Sequence, residues 1–212
     1  MAYPTVDAPY GFKPVNLIGG LPFAGATRSI PIASGYATSI YNGDVVELTS
    51  NGVIQLTAMT GATTTTPVVG TIGVFLGCSY TNPSTKQKLF SQYYPGGTVA
   101  ADIVAYVCDD PNALFKVVNV TGTTADGAAS GLLPAYVTRA NAMGANVAFV
   151  NNTGLVATGN SRAAVYANNV TTGLPFRVVD VVPDTANASG NFVELIVKFN
   201  AGYHSYNNLT GI

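Results

Sequence analysis

The sequence predicts a mainly β protein: an antiparallel β-barrel or sandwich with an extended N-terminal arm and a small inserted lobe. Three observations carry this. Val, Ile, Thr, Tyr and Phe, which suit a pleated and half-buried surface, fill short runs along most of the chain. The 23 Gly and 12 Pro break those runs at short intervals. Glu and Lys, the usual occupants of exposed helix faces, number only two and five.

Residues 1–28 read as the arm. Pro4, Pro9, Pro14 and Pro22 alternate with Tyr3, Tyr10, Phe12 and Phe23, so the backbone is biased to extended conformations with gaps in its row of donors. Residues 29–212 read as the β-rich body. Strands are predicted over 28–33, 44–49, 52–56, 68–80, 88–93, 103–108, 114–120, 135–138, 146–150, 162–166, 176–182 and 192–199. Asn42-Gly43 and Asn51-Gly52 accept positive φ, which predicts consecutive hairpins among the first strands, and Asp110-Pro111-Asn112 fits a type I turn. Between 121 and 169 small residues dominate and the charges fall to Asp126, Arg139 and Arg162, a composition that reads as an insertion or second lobe with one short helix around Arg139 to Met143. Residues 200–212 form an aromatic tail, Tyr203-His204-Ser205-Tyr206-Asn207-Asn208, that packs on something.

A chain of 212 residues can bury a sizeable core without a disulfide scaffold. Charged residues are 9 % of it, against the usual fraction of about 25 %, and the formal net charge is -1. Neither a basic nucleic-acid footprint nor an acidic disordered tail is present, so direct nucleic-acid binding is not expected. The surface must instead be covered by Thr, Asn, Ser, Gly and Tyr. Long uncharged stretches are interrupted well before the run of about 20 apolar residues that a membrane span needs. The first residues lack the basic and apolar pattern of a secretory signal, which predicts a chain made and kept in a cytoplasm. Cys78 and Cys108 each sit in an apolar run and are expected as buried thiols.

Catalytic chemistry finds little support. There is one histidine, His204, and no Gly-x-Ser-x-Gly elbow, His-Glu-x-x-His, Walker loop or Cys-x-x-Cys, so no catalytic residue, metal ligand or cofactor is assigned. Asp109-Asp110 and the pair Asp180 and Asp184 are read as turn carboxylates accepting backbone N–H bonds. Glu47 and Glu194 lie in alternating strand patterns and are expected to face water or to pair with one Arg. Gly19-Gly20, Gly96-Gly97 and Gly159-Asn160-Ser161-Arg162 lack the βαβ setting of an anion loop. The 12 tyrosines fit either a β-core or a binding surface.

The block Tyr41-Asn42-Gly43-Asp44-Val45-Val46-Glu47-Leu48, followed by Asn51-Gly52-Val53-Ile54 and by Gly70-Thr71-Ile72-Gly73-Val74-Phe75-Leu76-Gly77, resembles the hairpin and return strand of tailed-phage head decoration, or cement, proteins. The wider chain resembles virion structural proteins of marine and cyanobacterial podoviruses. The stretches concerned are Pro9 to Val15, Asp109 to Phe115, Leu174 to Asp180 and Val197 to Asn200. The resemblance implies a non-enzymatic protein on the outer capsid surface, assembled in the host cytoplasm. Its partners would be the major capsid protein and itself, as a trimer at local three-fold positions.

On this reading the arm docks in extended form on a capsid subunit or a neighbouring copy, with Tyr3, Tyr10 and Phe12 as anchors. The tail residues Tyr203, His204 and Tyr206 are the next candidates for partner binding. A tail, adaptor or head-fibre subunit is the alternative within the virion. A glycan-binding module using Tyr93, Tyr94, Tyr203 and Tyr206 is the alternative from another class.

Overall fold

The strands fall close to where the turn residues put them, but their partners do not follow chain order. The computed structural model describes residues 6, 8–59, 70–120, 138–170, 173–186 and 192–212. In chain order its strands are β1 (Lys13–Leu17), β2 (Arg28–Pro31), β3 (Val45–Leu48), β4 (Ile54–Leu56), β5 (Thr71–Thr81) and β6 (Lys88–Ser91). They continue with β7 (Val104–Cys108), β8 (Ala113–Val118), β9 (Asn146–Val150), β10 (Ala164–Val170), β11 (Phe176–Val181) and β12 (Glu194–Phe199). A single short helix, α1 (Arg139–Ala142), precedes β9 among the described residues, where a short helix was predicted. The strand predicted over 135–138 lies outside the described residues except for Thr138, which instead starts that helix, its N–H donating to Asn141 Oδ1 at 2.8 Å.

Two antiparallel sheets of six strands result, and they do not close into a barrel. The first has the order β1-β8-β12-β11-β9-β10. The second runs β2-β7-β5-β3-β4, with β6 also paired to β5. The chain therefore starts in the first sheet, builds all of the second, and returns through the turn at Asp110, whose carbonyl accepts from Ala113 N–H at 3.0 Å. Asn51-Gly52 does join a hairpin, β3 to β4. The expected run of hairpins is interrupted, because β2 pairs with β7 instead of β3 and β5 returns to β3 instead of β4, before β5 and β6 form the next hairpin.

The arm expectation is corrected for residues 12–17. Residues 13–17 are strand β1, paired antiparallel to β8 at the edge of the first sheet. Pro14 is tolerated because an edge strand needs donors on one side only, and the register shifts between Pro14 and Asn16. The insertion expectation is corrected as well. Residues 146–150 and 164–170 are β9 and β10, two regular members of the first sheet. The lobe's remaining stretch, 121–137, lies outside the described residues.

Two main cores follow from these pairings. In the first, Phe12, Phe115, Phe149, Phe176 and Phe199 pack together, with Phe12 and Phe176 stacked at a centroid separation of 4.7 Å. Val45, Val74 and Cys108, which lie in register across β3, β5 and β7, belong to the same core and fasten the second sheet to the first. In the second core, Ile30, Val46, Ile54, Ile72, Phe75 and Val107 fill the inside of the second sheet. That sheet curls until Ile32 and Ile54 meet in one parallel bridge. The 11-residue β5 shares one edge between β3 and β6, and its ladders shift register beside Gly73 and Gly77, where the strand bends.

Candidate functional site

Most residues expected to bind a partner turn inward. Tyr3 lies outside the described residues. Phe12 is 0 % exposed at the centre of the first core and cannot anchor a partner. Tyr10 is half-buried, and its hydroxyl donates to Glu194 Oε1, which also takes Lys116 Nζ at 3.0 Å. Glu194 is thus buried and paired with a lysine, not exposed or paired with arginine. Glu47 is buried too, accepting from Gln55 Nε2 at 2.6 Å and Ala58 N–H at 2.9 Å.

The tail packs on the chain's own body. Tyr203 is buried and donates to the Gly173 carbonyl at 3.0 Å. His204 is fully buried between the rings of Phe199 and Tyr206, and burial pushes it below the ordinary imidazole value. Of the three tail residues expected to bind a partner, Tyr206 alone stays open, at 45 % exposure. Its hydroxyl donates to Asp109 Oδ2 at 2.8 Å, the oxygen that also holds Arg28 Nε at 2.8 Å, and the Arg28 guanidinium lies 5.3 Å from its ring centroid. These residues clasp the end of β12 to the starts of β2 and of the β7–β8 turn. The four tyrosines proposed for a glycan face are not a shared platform: Tyr94 and Tyr203 are buried, and Tyr93 stacks on Tyr41 at 5.6 Å.

A built polar site lies elsewhere, at the junction of the sheets. Residues 38–44, which lead into β3, face residues 151–154, which leave β9, across a hollow of about 310 Å³. Backbone bonds tie the first segment to the loop that follows the second: Asn42 N–H to the Gly159 carbonyl at 3.0 Å, and Ser161 N–H to the Asn42 carbonyl at 2.9 Å. The N-terminal segment threads the same crossing, with Phe12 N–H donating to the Gly43 carbonyl at 2.9 Å. Gly11 is required there. Its φ is +81°, and a Cβ would stand 2.6 Å from Ser161 Cβ.

Asp44 is the charged member of the hollow and is only 3 % exposed. One carboxylate oxygen accepts from Tyr41 N–H at 2.8 Å, and the Ser161 hydroxyl gives a second bond. Lys13 is near enough to act on it through charge, but its ammonium donates to the side-chain oxygens of Asn42 and Asn160. Among the described residues no ion pair reaches Asp44. Asn152, 2 % exposed, also lines the hollow; its Nδ2 donates to the Arg162 carbonyl at 3.1 Å while its Oδ1 has no donor.

Burial is the main cause that pushes the Asp44 carboxyl up to about 6, against the lowering effects of Ser161, Tyr41 and Lys13. The folded protein therefore holds this proton more tightly than the unfolded chain does. The associated stability is fully present below about pH 4 and is lost as the pH rises through about 6. Asp44→Asn keeps an acceptor for Tyr41 and removes the charge. It is expected to raise the unfolding free energy at neutral pH by up to roughly 3 kcal/mol, and to flatten the dependence across the acidic window. Denaturant titrations of both proteins across that window check this, and parallel pH curves would contradict it.

Sequence reasoning placed Asp44 at the start of the predicted strand 44–49 and missed the site. The signal was a carboxylate beside an apolar strand in a chain with very few charges; its partner Ser161, and Asn152 which lines the same hollow, come from distant sequence. The two sheets and this junction define the class, a two-sheet β protein whose strands pair antiparallel, with one buried carboxylate at the crossing. No protein-family model, curated protein or solved structure matches the chain. Among the described residues no cluster of His, Cys, Asp and Glu forms a metal centre, and no helix is long and apolar enough to cross a membrane.

Proposed function

We propose that the chain is a decoration protein of a tailed-phage capsid, a non-enzymatic subunit that binds the finished shell as a trimer at local three-fold positions. The observation that carries this reading is where the resembling blocks fall. The segments 41–48, 51–54 and 70–77 fold as β3, its hairpin partner β4 and its return partner β5, three neighbours of one sheet. They thus form a hairpin and return strand in space as well as in sequence.

The surface also supports an assembled state. Among the described residues β6 pairs only with β5, and its Phe90 is 77 % exposed. A free edge carrying an exposed aromatic, in a chain with so little charge, is suited to burial against another copy or the shell. With Phe12 inside the fold, attachment rests on such body surfaces and not on residues 12–17. Binding only the mature shell stabilises that shell by mass action. Particles lacking the protein are expected to rupture at lower temperature and in low salt, and adding it back should restore them. Equal survival of bare and complete particles would overturn the proposal.

A further inference from the structure

We propose that the hollow at the sheet junction is a socket for a cationic head group, a guanidinium or ammonium, with the Asp44 carboxylate and the Asn152 amide oxygen as its principal acceptors. Two buried acceptors at the hollow lack their full complement of donors. A buried carboxylate without an ion pair is among the costliest groups a fold can hold, and such groups persist where they serve a site. Asp44 is in that position, and its two protein donors leave lone pairs over, since a carboxylate accepts about four hydrogen bonds. Asn152 Oδ1 is buried and lacks any donor. Thr38, Ser39 and Thr153 also line the hollow, with Ser39 Oγ already accepting from Gly96 N–H at 3.0 Å.

The chemistry of the occupant follows from charge and shape. A neutral ligand would add no charge to the partial compensation that Lys13 gives, whereas a cation offers both the charge and several N–H donors. The adjacent Lys13 does not fill this role, because Asn42 and Asn160 hold its ammonium to one side. Ring stacking is not available to a sugar, because the Tyr41 ring is covered by Tyr93 on one part and by Gly154, where a Cβ would stand 2.3 Å from the ring. The hollow, at about 310 Å³, admits a head group and part of its stem, not a large ligand. The inference is independent of capsid binding: the head group could belong to an arginine or lysine of a neighbouring protein or to a free small cation.

The test uses the full chain, labelled with 15N and 13C, titrated with ethylguanidinium and with its neutral isostere ethylurea. Saturable shifts confined to 38–44 and 151–154 with ethylguanidinium alone, together with a fall of at least tenfold in the Asp44 proton affinity read from its carboxyl carbon, are expected. Asp44→Asn should weaken ethylguanidinium binding at least tenfold. If that variant does not fold, the titration of Asp44 in the unaltered chain decides. A Gly-Arg-Gly peptide distinguishes the sources: tighter binding than ethylguanidinium points to a protein side chain, and exclusion of the peptide points to a free cation. Absence of saturation, equal binding of ethylurea, or an unmoved Asp44 overturns the proposal, as does saturation by calcium chloride with none by ethylguanidinium.

Discussion

Phe12→Ala is expected to lower the unfolding free energy by about 3–5 kcal/mol, the range for truncating a fully buried aromatic ring. Phe12 is fully buried and meets Phe115, Phe149 and Phe176 at centroid distances of 6.3, 6.0 and 4.7 Å. Those rings come from β8, β9 and β11, so one side chain near the N-terminus ties three strands of the first sheet together. Its backbone also bonds Gly43 at the crossing between sheets. Cleaving the chain after Phe12 would therefore remove core, not a free arm. Equilibrium denaturation of the variant measures the loss, and a change below about 1 kcal/mol would show that the ring is dispensable to the fold.

Gly73→Ala is the second substitution expected to have a large effect, costing about 3 kcal/mol or more through overpacking and backbone strain together. Gly73 sits opposite Val46 where the β3–β5 ladder shifts register, with φ at +156°. A Cβ there would lie 2.1 Å from the Cys108 carbonyl oxygen and 3.0 Å from Asp109 Cα. Those atoms belong to the backbone at the end of β7, so they cannot rotate away. Relief would require β5 and β7 to separate beside the Val74–Cys108 pair that joins the two cores. Gly173→Ala is the control, since nothing lies within 4 Å of a Cβ at that position. Comparable denaturation midpoints for the two variants would contradict the account of this contact.

The local parts of the fold were legible because local chemistry determines them. Asn51-Gly52 ends one strand and begins the next, and Asp110-Pro111-Asn112 turns the chain as its residue types require, with Asp110 Oδ1 accepting from Asn112 N–H at 2.7 Å. What was not legible depends on distant partners. The prolines of the N-terminal segment imitate a peripheral arm, yet Pro14 only marks an edge strand whose partner β8 lies in the other half of the chain. The small residues before 170 imitate an insertion, yet β9 and β10 complete the first sheet. The tail aromatics were rightly read as packing on something, but that surface is the protein itself, through Phe199, Asp109 and Arg28. Asp44 looked like the ordinary start of a strand because what surrounds its carboxylate, the Ser161 hydroxyl, the Lys13 charge and Asn152 across the hollow, is connected by no local pattern.

The central claim, that the chain decorates a capsid shell, is tested most directly by its copy number and position in purified particles. Quantitative electrophoresis against the major capsid protein, paired with the density of the intact particle, gives both at once. The account predicts hundreds of copies, seated on the outer surface as trimers at local three-fold positions. A single ring of about a dozen copies or fewer on the tail axis, in keeping with a closed cyclic assembly, or no copies at all, would contradict it.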